Sequence, residues 1–124
     1  MKTVYTISEL AQEFDITTRT IRFYEAEGLL YPSRNGQARV YSEQDRVHLK
    51  LILRGKRLGF SLSESKELIT LYDPSSKNAK QLARLLEKIE ERRCSLQQQL
   101  EDIKVMQHEL DEAEQRCRRA IKDQ

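Results

Sequence analysis

From Ser75 to the end of the 124-residue chain the sequence contains neither glycine nor proline. Because these two residues interrupt helices most strongly, their absence predicts one long helix. Apolar side chains recur along it at alternating steps of three and four, the heptad spacing of a coiled coil. One helix cannot bury such a stripe alone, and the remaining residues are too few to cover it. We therefore predict a homodimer, in preference to an intramolecular hairpin for which no turn signal exists.

The predicted dimerisation residues are the apolar members of this heptad stripe. Polar residues interrupt the stripe at Arg93, Gln107 and Glu114. The segment carries eleven basic and ten acidic residues in mixed order, which is typical of a solvated helix face. The predicted contacts are made by Leu82, Leu86, Ile89, Leu96, Leu100, Ile103, Leu110 and Cys117.

Two short helices across a tight turn are predicted near the N-terminus. Ser8 precedes an amphipathic pattern, ELAQEF, and a second helix begins at Thr17 or Thr18. This second helix runs to about Glu27, where Gly28 supplies a C-terminal cap. The pair has the layout of a helix-turn-helix.

A hairpin signal follows the second helix. Pro32 and the pair Asn35-Gly36 indicate turns, and the alternation around Val40 and Tyr41 indicates a strand. We interpret this segment as a small β-wing.

Two capping-box patterns predict a third and a fourth helix. Ser42 with Asp45 begins a helix that runs to about Arg57, and Ser61 with Glu64 begins another that runs to about residue 72. The predicted fold is therefore mainly α. A winged helix-turn-helix DNA-binding domain spans residues 1–74, and a coiled-coil dimerisation helix spans residues 75–124.

Basic residues are concentrated between positions 18 and 57. This segment holds nine Lys and Arg against four acids, although the net charge of the whole chain is only +2. In a winged helix-turn-helix the second helix enters the DNA major groove. Arg19 and Arg22, one turn apart and flanked by Thr18 and Thr20, are predicted to face DNA, and Tyr24 is predicted to reach a backbone phosphate.

The remaining residues of the second helix are predicted to anchor it. Ile21 is available for the side away from DNA, and Phe23 is predicted to be a core aromatic. The hydroxyl groups of Thr17 and Thr18 and the free N–H groups at the helix start are expected to offer phosphate donors.

Three segments, TISELAQEFDITTRTIRFYEAEGLLYPSR, ARVY and RGKRLGFSLSESKELI, resemble the DNA-binding domain of the MerR family of transcriptional regulators over residues 3–72. The resemblance implies a homodimer joined by an antiparallel coiled coil. It also implies a dyad-symmetric operator within a promoter of unusually long spacer. Members of this family distort that double-stranded DNA so that RNA polymerase can use the promoter.

The resemblance also assigns DNA-contacting positions. Arg22 and Tyr24 match the recognition helix, while Arg19 and Thr18 match more variable positions that set specificity. Arg39 and Tyr41 match the wing. The complete predicted DNA-binding set is Thr18, Arg19, Thr20, Arg22, Tyr24, Arg34, Arg39, Tyr41, Lys56 and Arg57, the last two gripping phosphates between the third and fourth helices.

The sequence departs from the metal-sensing members of the family. Cys117 alone lies near the end of the long helix, and one sulfur is too few for a soft-metal site within one subunit. Cys94 falls at an outward heptad position, and the cysteine cluster of iron–sulfur sensors is absent from the sequence. We expect no metal and no cofactor, and a small-molecule effector stays unidentified. The resemblance points to the branch linked to leucine, isovalerate and fatty-acid breakdown genes.

Two other classes of protein share parts of this pattern. One is a coiled-coil assembly protein whose head domain docks on protein, and the other is an architectural or excisionase-like protein that bends DNA. An enzyme is not expected, because His48 and His108 lie on separate helical patterns without evident catalytic partners. No apolar run is long enough for a membrane span and no secretory signal is visible, so a cytoplasmic location is expected.

Overall fold

The computed structural model describes residues 3–124, and its architecture is mainly helical with a small sheet, as predicted. The chain divides into two compact units, one ending at Gln81 and the other spanning Leu82–Gln124. The predicted domain boundary, between residues 74 and 75, lies in the loop that precedes the last helix. The elements in chain order are β1 (Val4–Tyr5), α1 (Ile7–Phe14), α2 (Thr18–Ala26), β2 (Ser33–Asn35), β3 (Ala38–Ser42), α3 (Glu43–Arg57), α4 (Leu62–Leu71) and α5 (Ala79–Lys122).

Side-chain caps define where the short helices begin. The capping boxes predicted at Ser42 and Ser61 are both present. The first helix differs from the prediction: Thr6, rather than Ser8, is its N-cap, and the Thr6 side chain forms a reciprocal capping box with Glu9. Both hydroxyl residues suit a cap, and Glu9 at the third helical position favours the earlier one.

The sheet has three strands in the order β1, β3, β2, all antiparallel. The hairpin β2–β3 is the predicted wing. Strand β1 was not predicted, because two residues are too few for a recognisable alternation. It pairs Tyr5 with Tyr41 and thereby ties the N-terminus to the wing.

A single apolar core joins the helix-turn-helix to the wing and to α3. Ile21 of α2 is fully buried, as predicted, together with Leu10 from α1. The segment after α2 contributes Leu29 and Leu30, and α3 contributes Leu49 and Ile52. Burial of these side chains holds α2 in place, each contributing about 1.5–3 kcal/mol.

Helix α5 is continuous over 44 residues, in agreement with the predicted long helix. Its heptad stripe is exposed in the single chain: the large apolar side chains from Leu82 to Leu110 are 46% to 66% exposed, except Ile89, which is partly buried. Cys94 and Cys117 are exposed free thiols. Among the described helices, none is long and apolar enough to cross a membrane.

Candidate nucleic-acid interface

Helix α2 presents a cationic face to solvent. Arg19 and Arg22 are exposed one turn apart, and Phe23 beside them is 51% exposed. Ile21 and Tyr24 lie on the opposite, buried face. No acidic side chain of residues 3–124 forms an ion pair with Arg19 or Arg22. Both guanidinium groups therefore keep their donors available for a ligand outside the chain.

The start of α2 is occupied by its own cap. The Thr17 hydroxyl accepts the Thr20 N–H at 3.1 Å, and the two threonine hydroxyls lie 2.9 Å apart. Thr18 and Thr20 are partly buried. The Thr17 oxygen therefore serves as the helix cap, while the predicted role of its O–H as a phosphate donor stays a prediction.

The exposure of Phe23 and Tyr24 is the reverse of the predicted one. Phe23 was expected in the core and is exposed, whereas Tyr24 was expected on the DNA side and is only 4% exposed. Burial raises the pKa of the Tyr24 hydroxyl. The two rings are 5.7 Å apart between centroids. Adjacent helical residues point about 100° apart, so packing alone decided which aromatic faces inward.

A cleft of about 250 Å³ connects this helix to α3 and α4. Phe23 and Tyr24 line it from α2, and Lys56 lines it from α3. Tyr24 and Lys56 thus line the same cleft, and the contact of Tyr24 with a phosphate stays a prediction.

The wing is held to α2 through Glu25. Its Oε2 accepts a hydrogen bond from Arg39 Nε at 2.9 Å and from the Tyr41 hydroxyl at 3.3 Å. Tyr41 has no exposed surface, and burial followed by the Glu25 charge raises its pKa to about 12. The prediction that Tyr41 contacts DNA is corrected: its side chain belongs to the core. Arg39 is partly buried and engaged through Nε, which positions the wing. Its two terminal Nη groups have no partner among residues 3–124, and its contact with DNA stays a prediction.

The other predicted cations lie at the surface. Arg34 is exposed on β2, and Lys56 and Arg57 are exposed in the last turn of α3. In the part of the chain that is described, no acidic side chain pairs with any of these three. Sequence reasoning did not foresee the role of Glu25, because nothing local marks an acid that bonds residues fourteen and sixteen positions away.

Residues 3–124 contain no group of three or more His, Cys, Asp and Glu side chains placed to hold a metal ion.

Comparison with known proteins agrees with this geometry. The family model described as MerR HTH family regulatory protein matches residues 5–71, and the model described as MerR, DNA binding matches residues 46–113. The chain belongs to the MerR family. It is a DNA-binding transcriptional regulator and not an enzyme. The resemblance over residues 3–72 is thereby confirmed.

Relatives within the MerR family cover most of the chain. The transcriptional regulator CueR of Escherichia coli O6:H1 is 37% identical over 108 residues, which are 84% of this chain and 76% of CueR. A transcription regulator from Ralstonia metallidurans, solved in complex with lead(II), has a TM-score of 0.65 and 30% identity, covering 84% of this chain and 80% of its own.

One solved MerR-family structure contains nucleic acid. HiNmlR, described as a MerR family regulator lacking the sensor domain, was solved bound to promoter DNA. Its TM-score is 0.58 at 26% identity, and the match covers 77% of this chain and 74% of that one.

Proposed function

We propose that this regulator binds a dyad-symmetric promoter operator as a homodimer, with α2 of each protomer in the major groove. The observation that carries the proposal is the exposed face of α2, where Arg19 and Arg22 have no ion-pair partner among the described residues. Arginine in the major groove donates two hydrogen bonds to guanine, the commonest specific contact to a base.

The side chains around these arginines complete the proposed surface. Phe23 is exposed next to Arg22 and suits an apolar contact with a thymine methyl group. Arg34, Lys56 and Arg57 supply cations for phosphates. Thr18 and Thr20, at the start of α2, flank the groove contacts.

The heptad stripe of α5 supports the homodimer. Its large apolar side chains are exposed in one chain, and a second copy in antiparallel orientation would remove them from water. Dimers of this kind place two recognition helices on two half-sites of one operator. The operator is therefore expected to have the same two-fold symmetry as the dimer.

Family resemblance extends the proposal to the mechanism of regulation. We propose that the bound dimer distorts the promoter so that RNA polymerase can use it, in the cytoplasm where promoter DNA lies.

The operator is obtained by selecting genomic DNA fragments that the full chain retains. Affinity for the selected operator should fall steeply with salt, because cations on the protein displace counterions from the phosphates. An affinity independent of salt would contradict the proposed surface.

Arg22→Ala should weaken operator binding by at least about 30-fold, because the homodimer loses two bidentate base contacts, each worth roughly 1–3 kcal/mol. Fluorescence anisotropy with labelled operator measures the change. Lys77→Ala, in the exposed loop before α5, removes the same charge and should leave the affinity nearly unchanged. Equal losses in the two variants would show that only overall charge matters.

Transcription in vitro separates regulation from simple DNA bending. A long-spacer promoter carrying the operator should change its output when the protein is added, and the change should disappear with Arg22→Ala. Bending of the operator without any change in transcription would favour an architectural role.

A further inference from the structure

A second cavity, of about 240 Å³, lies in the N-terminal unit among residues that the DNA-binding proposal does not use. It is bounded by the segment that follows α2 and by α3 and α4. None of its lining residues belongs to the predicted DNA-contacting set. They are Gly28, Leu29, Tyr31, Gln44, His48, Lys66, Ile69, Thr70 and Tyr72.

The lining carries one uncompensated positive charge. Lys66 forms no ion pair with any acid among residues 3–124. Its Nζ lies 3.8 Å from the point where a Cβ on Gly28 would stand, and the Tyr31 hydroxyl lies 3.7 Å from the same point. An ammonium group and a hydroxyl therefore both lie near Gly28, a residue without a side chain.

Asp45, which follows the lining residue Gln44, is already engaged within the fold. Asp45 is buried, and its two carboxylate oxygens accept the backbone N–H groups of Tyr31 at 3.1 Å and Ser42 at 3.0 Å. Its charge is stabilised within the fold and does not reach Lys66 as a salt bridge. The cation in the lining is left for a ligand.

His48 lines the same cavity without an internal hydrogen bond at Nδ1. It is 9% exposed, and its Nδ1 is a buried atom with no partner in the described structure. The ring is held by packing edge-on to Tyr72, at 6.4 Å between centroids. Burial lowers the pKa of His48, with a smaller opposing effect of Asp45, so the imidazole adds polarity rather than a second charge near neutral pH. Buried polar atoms without a partner are uncommon in native proteins.

We propose that this cavity binds a small organic monocarboxylate, with the carboxylate at Lys66 and Tyr31 and a compact apolar group against Leu29, Ile69 and Tyr72. One cation in the lining matches one negative charge. A cavity of 150 Å³ is enough to hold benzene, so 240 Å³ accommodates one ring with a carboxylate. The site is independent of the proposed function, because its lining residues lie outside the predicted DNA-contacting set. Ligand binding to it can be measured without DNA.

Benzoate is the probe, with benzyl alcohol and benzylamine as matched molecules of neutral and positive charge. Each is titrated into the ¹⁵N-labelled full chain and followed by amide chemical shifts. Benzoate should bind saturably with a dissociation constant of about 1 mM, as expected for a ligand of this size. It should move the amide signals of Gly28, Tyr31, Lys66 and Thr70. Benzyl alcohol should bind about tenfold more weakly, and benzylamine should not bind.

Variants locate the site. Lys66→Gln should weaken benzoate about tenfold, whereas Lys50→Gln, which removes the same charge from α3 outside the cavity, should leave it unchanged. Thr70→Phe places a ring in the cavity from an exposed position and should abolish saturable binding. Equal binding of the three probes, an unchanged affinity in Lys66→Gln, or no saturable shift at these residues would overturn the proposal.

Discussion

The local sequence pattern does not always predict whether a single side chain is exposed or buried. Phe23 and Tyr24 are neighbours on one helix with similar apolar area, yet one is exposed and the other is buried. The buried position is decided by what α3 and the wing bring against α2. Glu25 follows the same logic, since its partners Arg39 and Tyr41 come from the wing.

Glu25→Gln should loosen the attachment of the wing. The variant loses the charge that pairs with Arg39, and we expect the free energy of unfolding to fall by about 1 kcal/mol, because the pair is partly shielded from water. Chemical denaturation at a fixed protein concentration measures the change. Glu27→Gln, an exposed residue of the same helix end, is the matched control, and an equal effect there would contradict a specific role of Glu25.

His48 should make stability depend on pH. Its pKa in the folded chain is below the ordinary value of 6.5, so between these two values the unfolded chain binds more protons. Lowering the pH from 7.5 to 5.5 should therefore reduce the free energy of unfolding. In His48→Phe this reduction should be smaller. Denaturant midpoints at the two pH values decide the point.

Helices α3 and α4 depend on a close approach at Gly55. A Cβ on this residue would lie 2.8 Å from Ser65 Oγ, and both residues are buried. The contact positions the C-terminal turn of α3, which carries Lys56 and Arg57. The capping boxes predict where α3 and α4 begin. They do not predict how closely the two helices approach each other.

Gly55→Ala should destabilise the N-terminal unit by about 1–2 kcal/mol, because overpacking outweighs the better helix propensity of alanine. Thermal or denaturant unfolding measures the loss. In a Ser65→Ala background the Oγ is gone, so the same substitution should cost less or become stabilising. A loss of equal size in both backgrounds would mean that the steric explanation is wrong.

The proposed homodimer depends on an apolar surface of α5 that is exposed in a single chain. The heptad stripe of α5 exposes leucine and isoleucine side chains over most of its length. Exposed apolar stripes of this extent are typical of helices that associate. In the proposed homodimer, the stability of the chain would depend on its concentration.

Leu100→Lys should dissociate the proposed dimer and abolish operator binding, because a charge replaces an apolar side chain at the centre of the stripe. Analytical ultracentrifugation at micromolar concentration shows the change in mass. Gln98→Lys adds the same charge on the outward side of α5 and should remain dimeric. A wild-type chain that sediments as a monomer would refute the dimer.

The amino-acid pattern was sufficient for the five helices, for the wing and for the cationic face of α2. These features depend on short-range rules, namely caps, turn residues, helical period and local charge, which can be evaluated within a few residues. Strand β1, the burial of Tyr24 and Tyr41, the pairing of Arg39 with Glu25 and the cavity at Lys66 required the folded chain. Each of them depends on residues distant in sequence that meet only when the core packs, and neighbouring positions alone do not specify such contacts.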